Sequence, residues 1–214
     1  ALVMIGANGE NYLSVAPGAN YRMEEKHIDQ ATPAIKESEY VLFQYEIPKT
    51  TLCYAIEKCH AMGKKVIFNL APARFLEDTY LRMLHTLVVN EVEAALLTGM
   101  DMKSEEDIRN AAIKLREKGA KNVIITLGAE GSCIISEGEP RNISAYRVNA
   151  VDTTAAGDIY CGSLAAGLVE GMSMEKAVTF AGAASAICVT RLGAQPSAPS
   201  REEIDTLMND MMLP

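Results

Sequence analysis

The sequence predicts an α/β fold: a mostly parallel sheet flanked by helices. Three observations lead there. Short apolar runs alternate with longer amphipathic ones between residues 31 and 126, glycine or proline punctuates the junctions, and after Gly131 the rhythm changes to short extended segments followed by long helices of small residues. Strands that alternate with helices pair in parallel through right-handed crossovers, which layers helices against the sheet.

The elements follow in order. Residues 2–5 are apolar, 6–11 supply turn residues and 12–15 are apolar again, the pattern of a hairpin. With no initiator Met ahead of it, a chain that opens inside a strand reads as a piece of a longer protein. Residues 40–44 form a short strand, 48–62 a helix with Pro48 at its first turn, 65–70 a strand and 75–85 a helix. Residues 87–90 are a strand and 91–98 a helix closed by Gly99. Ser104 starts an amphipathic helix that runs to residue 118 and stops at Gly119, and residues 122–126 return as a strand. Residues 132–136 and 145–148 read as antiparallel additions at the edge. Two long helices follow at 157–170 and 173–191, and a last one begins at Ser200, whose spacing to Glu203 is a capping box.

Composition excludes several classes. Of 214 residues 49% are apolar, 22% are charged and eight are proline, which argues against a disordered or fibrous chain. No apolar run is long enough to cross a bilayer. A net charge of −8, with Lys64-Lys65 as the longest basic cluster, leaves nothing to hold nucleic acid. Five cysteines, odd in number and never in a CxxC spacing, read as reduced core thiols. His27, His60 and His85 share no metal-ligand spacing. The expectation is a soluble cytoplasmic protein with neither a nucleic-acid nor a membrane partner.

Chemistry concentrates in four places. The segment Asp152-Thr153-Thr154-Ala155-Ala156-Gly157-Asp158 runs into an apolar helix, whose first amides lack intrahelical acceptors and suit an anion. Asp158, a carboxylate beside such a site, is badly placed to bind phosphate and well placed to accept a proton from an attacking hydroxyl, a combination that points to phosphoryl transfer to an alcohol. Asn90 with Glu93 is either a plain capping box or a carboxylate organising a hydrated Mg²⁺ beside nucleotide phosphates. Thr126-Leu127-Gly128-Ala129-Glu130-Gly131 is either a hairpin turn or a backbone contact to a nucleotide at a strand end. Glu46, just past the strand ending at Gln44, is a surface carboxylate on its own. Asp152 and Thr154, with the Gly/Pro-rich loop of residues 189–197, offer oxygens for a hard monovalent cation or simply an N-cap and a turn.

Taken together, the motifs Asn-x-x-Glu from residue 90, Thr-Leu-Gly-x-x-Gly from 126, Asp-Thr-Thr-Ala-Ala-Gly-Asp from 152 and Thr-Arg-x-Gly-Ala-Gln-Pro-Ser from 190 resemble the ribokinase branch of the PfkB carbohydrate kinases. The resemblance covers essentially the whole chain. It implies a three-layer ribokinase-like fold, with a remnant of a small β lid at residues 1–20 and an α/β nucleotide-binding and catalytic domain at 21–214. Gly9-Glu10-Asn11 and Gly18-Ala19-Asn20 would end the lid region. By the same resemblance Asp158 is the base, and the amides of Ala155, Ala156, Gly157 and Asp158 form an anion hole for the transferred phosphoryl group. Asn90 and residues 126–131 bind ATP, and Glu93 acts on Mg²⁺ through water. Glu46 contacts the sugar, while Asp152 and Thr154 with the backbone around Cys188, Arg191, Gly193 and Ser197 hold an activating K⁺. Gly182 stands where relatives place a nucleotide contact and has no side chain to make it.

The resemblance also implies that family members are longer, with most sugar contacts in an N-terminal third that this chain lacks. The expected activity is ATP-dependent phosphorylation of D-ribose to D-ribose 5-phosphate by a homodimer. The alternatives are a kinase of another sugar or nucleoside, or a nucleotide-binding fragment or regulatory remnant without turnover.

Overall fold

The computed structural model describes residues 2–5 and 11–210; the turn expected at residues 6–10, with Gly9 and Glu10, lies outside the described residues. The backbone divides into two compact units: one comprises residues 17–127 and 132–142, the other residues 1–16, 128–131 and 143–214.

The first unit is built on strands β3 (Tyr40–Gln44), β4 (Lys65–Asn69), β5 (Thr86–Asn90), β6 (Asn122–Thr126) and β7 (Ser132–Ile135), after which β8 (Arg141–Ile143) completes a six-stranded sheet ordered β3-β4-β5-β6-β7-β8. The hairpin strands β1 (Leu2–Ile5) and β2 (Asn11–Ser14) precede them in the chain. Strands β3 to β6 are parallel and β7 turns back antiparallel to β6, so the sheet is mixed and flanked by helices, as the alternation predicts. The buried β5 and β6, Leu-Val-Val and Val-Ile-Ile at their centres, read as continuous apolar runs because both faces are covered.

The helices of this unit are α1 (Glu25–Gln30), α2 (Thr32–Glu37), α3 (Lys49–Ala61), α4 (Asp78–Leu81), α5 (Glu91–Thr98) and α6 (Glu105–Glu117). The core is closed by Leu52, Ile56, Phe68, Leu87, Leu115 and Ile125, all fully buried; truncating one such leucine to alanine costs about 2–5 kcal/mol. Lys64, of the longest basic cluster, donates from Nζ to the carbonyls of Lys36 and Ser38 at 2.7 and 2.8 Å and so closes the end of α2.

The second unit holds the β1–β2 hairpin, antiparallel with Leu2 opposite Ser14, and the helices α7 (Ala156–Val169), α8 (Met174–Cys188) and α9 (Arg201–Asp210). Phe180, Ala183, Ala184, Ile204 and Met208 pack α8 against α9. Ser200 and Glu203 form the expected capping box, each backbone N–H donating to the other's side chain.

Three expectations need correction. The helix read at 75–85 contracts to the single turn of α4, because residues 73–77 form no regular structure, with Glu77 extended, and His85 N–H is taken by the Val66 carbonyl at the entry to β5. The strand read at 145–148 is irregular; the sheet instead takes Arg141–Ile143, three residues without apolar alternation. Helices α1 and α2 lie in a region where no helix was expected, and each is only six residues long.

Candidate active site

In the sheet unit, polar residues gather at the carboxyl ends of the parallel strands, where open α/β sheets place ligands. Register sets Gln44 beside Asn69, and Asn90 beside Thr126. The apolar pattern that buries β5 and β6 therefore also delivers Asn90 and Thr126 to one edge as neighbours. Thr126 Oγ1 donates to the Val89 carbonyl at 3.3 Å. Gln44 and Asn69 were not singled out from sequence. The available signal was that each is the last residue of a strand, a position that carries no message until pairing is known.

Asn90 and Glu93 form the complete capping box of α5: Asn90 N–H donates to Glu93 Oε2 at 2.8 Å and Glu93 N–H to Asn90 Oδ1 at 2.9 Å. Glu93 is nonetheless only 5% exposed. Burial raises its pKa above the ordinary value, opposed by the Asn90 amide. Glutamate is the usual third helical residue of a capping box, but burying its carboxylate carries a desolvation cost that the cap itself does not require.

Glu46 lies just past β3, exposed, and accepts from Asn20 Nδ2 at 3.3 Å. Leu127, half-buried, follows Thr126 out of the sheet.

The second unit carries the remaining sequence-predicted residues. Gly128, Ala129 and Glu130 form an exposed 3₁₀ turn, closed by Gly131 N–H donating to the Gly128 carbonyl at 3.2 Å. Gly131 is required by geometry: its φ is 104°, and a Cβ there would meet the Ile143 carbonyl oxygen at 2.0 Å.

Asp152 is 2% exposed and anchors the next loop. Its Oδ1 accepts from Thr154 N–H and its Oδ2 from Gly193 N–H, both at 2.9 Å. The nearby Thr154 hydroxyl, then the amides of Gly193 and Thr154, hold its pKa below the usual carboxylate value. Thr154 Oγ1 is itself buried without a partner at hydrogen-bonding geometry. Around it, Cys188 Sγ lies 3.7 Å from the Thr154 carbonyl oxygen and 3.1 Å from Ser197 Oγ, and Ser197 Oγ donates to the Ala194 carbonyl at 2.6 Å. The Val189 carbonyl accepts the amides of Val151 and Asp152 at 2.7 and 3.2 Å. The structure thus brings Asp152, Thr154, Cys188, Gly193 and Ser197 together. The Arg191 side chain turns elsewhere and pairs with Glu203, lowering that carboxyl to about 2, while its backbone N–H donates to the Cys188 carbonyl at 3.0 Å.

Between Asp152 and Asp158 the chain makes an unusual turn. Ala155, the N-cap of α7, sits at φ 63°, ψ 6°, and among the described residues it is the one non-glycine with positive φ. A left-handed alanine costs about 1–2 kcal/mol; such strain clusters at functional sites. The turn starts α7 at Ala156, so the amides of Ala156, Gly157 and Asp158 occupy its first turn, where helical acceptors are lacking. Ala156 N–H is already committed to the Thr153 carbonyl at 3.2 Å, which corrects the expectation that all these amides face outward for an anion. Gly157 and Asp158 are exposed. Ser185 Oγ on α8 donates to the Ala156 carbonyl at 3.1 Å. Gly182, one turn earlier on α8, has open space where a Cβ would stand, and so is not a glycine demanded by packing.

Comparison with known proteins identifies the family and the fold. The family model described as pfkB family carbohydrate kinase matches residues 1–201. The ribokinase of Haemophilus influenzae is 37% identical over 203 residues, 95% of this chain and 66% of the relative, and the deoxyribokinase of Salmonella typhi is 34% identical over 210 residues, 98% and 69% respectively. The chain spans about two thirds of the length of these curated relatives. Among solved structures, the ribokinase of Thermotoga maritima superposes with a TM-score of 0.85 at 36% identity, covering 97% of this chain and 68% of that one. The ribokinase of Arabidopsis thaliana, complexed with ribose and ATP, also reaches a TM-score of 0.85, at 31% identity, covering 96% and 67%. The mixed sheet, the turn that opens α7 at Ala156 and a family match reaching from residue 1 to residue 201 lead to one conclusion: the chain belongs to the pfkB family of carbohydrate kinases.

Proposed function

We propose that this chain carries the nucleotide-binding and catalytic part of an ATP-dependent ribokinase, which transfers the terminal phosphoryl group of ATP to the primary hydroxyl of D-ribose and yields D-ribose 5-phosphate. The observation that carries the reading is the strained Ala155 turn, which begins α7 so that Asp158 stands in its first turn beside backbone amides. Asp158 accepts the proton of the attacking hydroxyl, and the amides of Ala155, Gly157 and Asp158 meet the charge that develops on the transferred group, with Ala156 shaping the turn. Asn90, Thr126, Leu127 and the turn Gly128-Ala129-Glu130-Gly131 bind the nucleotide, Gly182 offers it helix backbone without a side chain, and Glu46 accepts a sugar hydroxyl.

Two cations fit the residues present. Buried Glu93 suits a hydrated Mg²⁺ held through water, which would offset negative charge on the nucleotide phosphates. Asp152, the partnerless Thr154 oxygen, Ser197 and the carbonyls around Cys188, Arg191 and Gly193 suit K⁺, which would add positive charge behind the α7 turn.

A second acceptor, 2-deoxy-D-ribose, is favoured by the 34% identity to the Salmonella typhi deoxyribokinase. The test is ATP-dependent phosphorylation of D-ribose, 2-deoxy-D-ribose, D-fructose and a nucleoside by the purified chain, with products identified by mass spectrometry. Ribose 5-phosphate as the main product supports the reading; nucleotide binding with no phosphorylation of any acceptor contradicts it for this chain.

A further inference from the structure

Glu46 is placed with unusual care for an exposed carboxylate. The residue before it, Tyr45, is 2% exposed and held at both ends: its N–H donates to the Ala71 carbonyl at 2.9 Å and its hydroxyl to the Phe75 carbonyl at 3.3 Å. The Arg74 guanidinium lies over the Tyr45 ring, 5.6 Å from the centroid, and Arg74 Nη2 donates to the Tyr21 hydroxyl at 3.3 Å. Tyr21 belongs to the 3₁₀ turn Gly18–Arg22, which also carries Asn20. The 3₁₀ turn is thereby fastened to the strand end, and Asn20 Nδ2 reaches Glu46 Oε2 at 3.3 Å.

These contacts divide the work. Tyr45 and Arg74 fix the backbone from which Glu46 springs, and the Asn20 amide fixes which way its carboxylate faces. A neutral amide orients a carboxylate without cancelling its charge, as lysine or arginine would. The oxygen not engaged by Asn20 remains a strong acceptor, suited to the hydroxyl of an uncharged polyol and unsuited to an anionic acceptor.

We propose that Asn20 is a positioning residue for acceptor recognition: it holds Glu46 Oε2 so that Oε1 receives a hydroxyl of an uncharged sugar. The inference rests on the reading of Glu46 as a sugar contact. It goes beyond that reading by assigning a role to a residue 26 positions away, on a separate turn.

The experiment is a double-mutant cycle on the full chain. KM for D-ribose, KM for ATP and kcat are measured for the unaltered chain, Asn20→Ala, Glu46→Ala and the double variant, with Asn20→Asp as a fourth. Asn20→Ala is expected to raise the ribose KM by about five-fold, the worth of one hydrogen bond, with kcat and the ATP KM unchanged. Asn20→Asp, which faces one carboxylate with another, raises it further. In the Glu46→Ala background, Asn20→Ala adds nothing. The same five-fold loss in both backgrounds would overturn the inference, as would a silent Asn20→Ala or an equal change in the ATP KM. Glu46→Ala with an unchanged ribose KM defeats the sugar-contact reading itself and the inference with it, whereas a damaging Glu46→Ala beside a silent Asn20→Ala defeats the inference alone. If the chain turns over too slowly, the cycle is read as D-ribose binding by calorimetry, and no ribose binding by the unaltered chain overturns both.

Discussion

Two buried carboxylates, Glu93 and Asp152, are shifted in opposite directions by the fold. Asp152 gains the neighbouring Thr154 hydroxyl and then the amides of Gly193 and Thr154 on folding and its pKa falls, so its contribution to stability is present above its ordinary value of 3.8 and is lost as pH falls through the folded value. Glu93 loses water and gains too little, so its pKa rises above 4.5; its contribution is present in acid and is lost as pH rises through the folded value. At neutral pH the Glu93 charge is therefore a burden on the fold. Glu93→Gln keeps a carbonyl oxygen to accept from Asn90 N–H, and it should be at least as stable as the unaltered chain at pH 7 by urea denaturation, with the difference vanishing below about pH 4.5. The same variant should weaken magnesium-dependent nucleotide binding. A clear loss of stability at pH 7 would contradict the reading of the buried Glu93 charge as a burden on the fold.

At the scale of elements, the α7 turn should be tuned for position rather than stability. Ala155→Gly removes a left-handed alanine and should stabilise the fold by about 0.5–1 kcal/mol after the entropy of the freed unfolded chain is counted. Ala166→Gly, on the exposed face of α7, should destabilise by about 1 kcal/mol. Denaturant midpoints that move in the same direction would contradict a strained turn. The elements legible in the sequence were those whose signal is local. Strands β3 to β6 announced themselves by apolar runs, α5 and α9 by the capping pairs at Asn90 and Ser200, and α6 by its amphipathic run between Ser104 and Gly119. What was not legible depends on distant partners. Helices α1 and α2 are too short to show a period and are held by tertiary bonds, such as Tyr54 hydroxyl to Asp29 on α1 and Lys64 Nζ to the Lys36 carbonyl on α2. Tyr146 and Val148 mimic an alternating strand, while the sheet takes Arg141–Ile143, whose last carbonyl closes against Gly131. The motif residues of the site were legible, but the left-handed Ala155, the committed Ala156 amide and the Asn20 to Glu46 bond had no sequence signature.

At the scale of the whole molecule, the open edge of the sheet and the proposed reaction give the two broadest predictions. Strand β3 ends the sheet order, pairs with β4 and exposes Leu42 by 38%. An open, apolar strand edge invites another strand, so sedimentation should show mass rising with protein concentration, reversed by Leu42→Lys; a mass independent of concentration would leave the edge covered by other means. The proposed reaction rests on Asp158 as its base. The most direct measurement compares ATP-dependent formation of ribose 5-phosphate by the unaltered chain and by Asp158→Asn, with ATP binding followed in parallel. A general base contributes about 10²- to 10⁴-fold, so the substitution should lower kcat by that factor and leave ATP affinity near its starting value. Equal turnover with asparagine at 158, or ATP binding with no ribose 5-phosphate from the unaltered chain, would contradict a sugar kinase that draws its proton through Asp158.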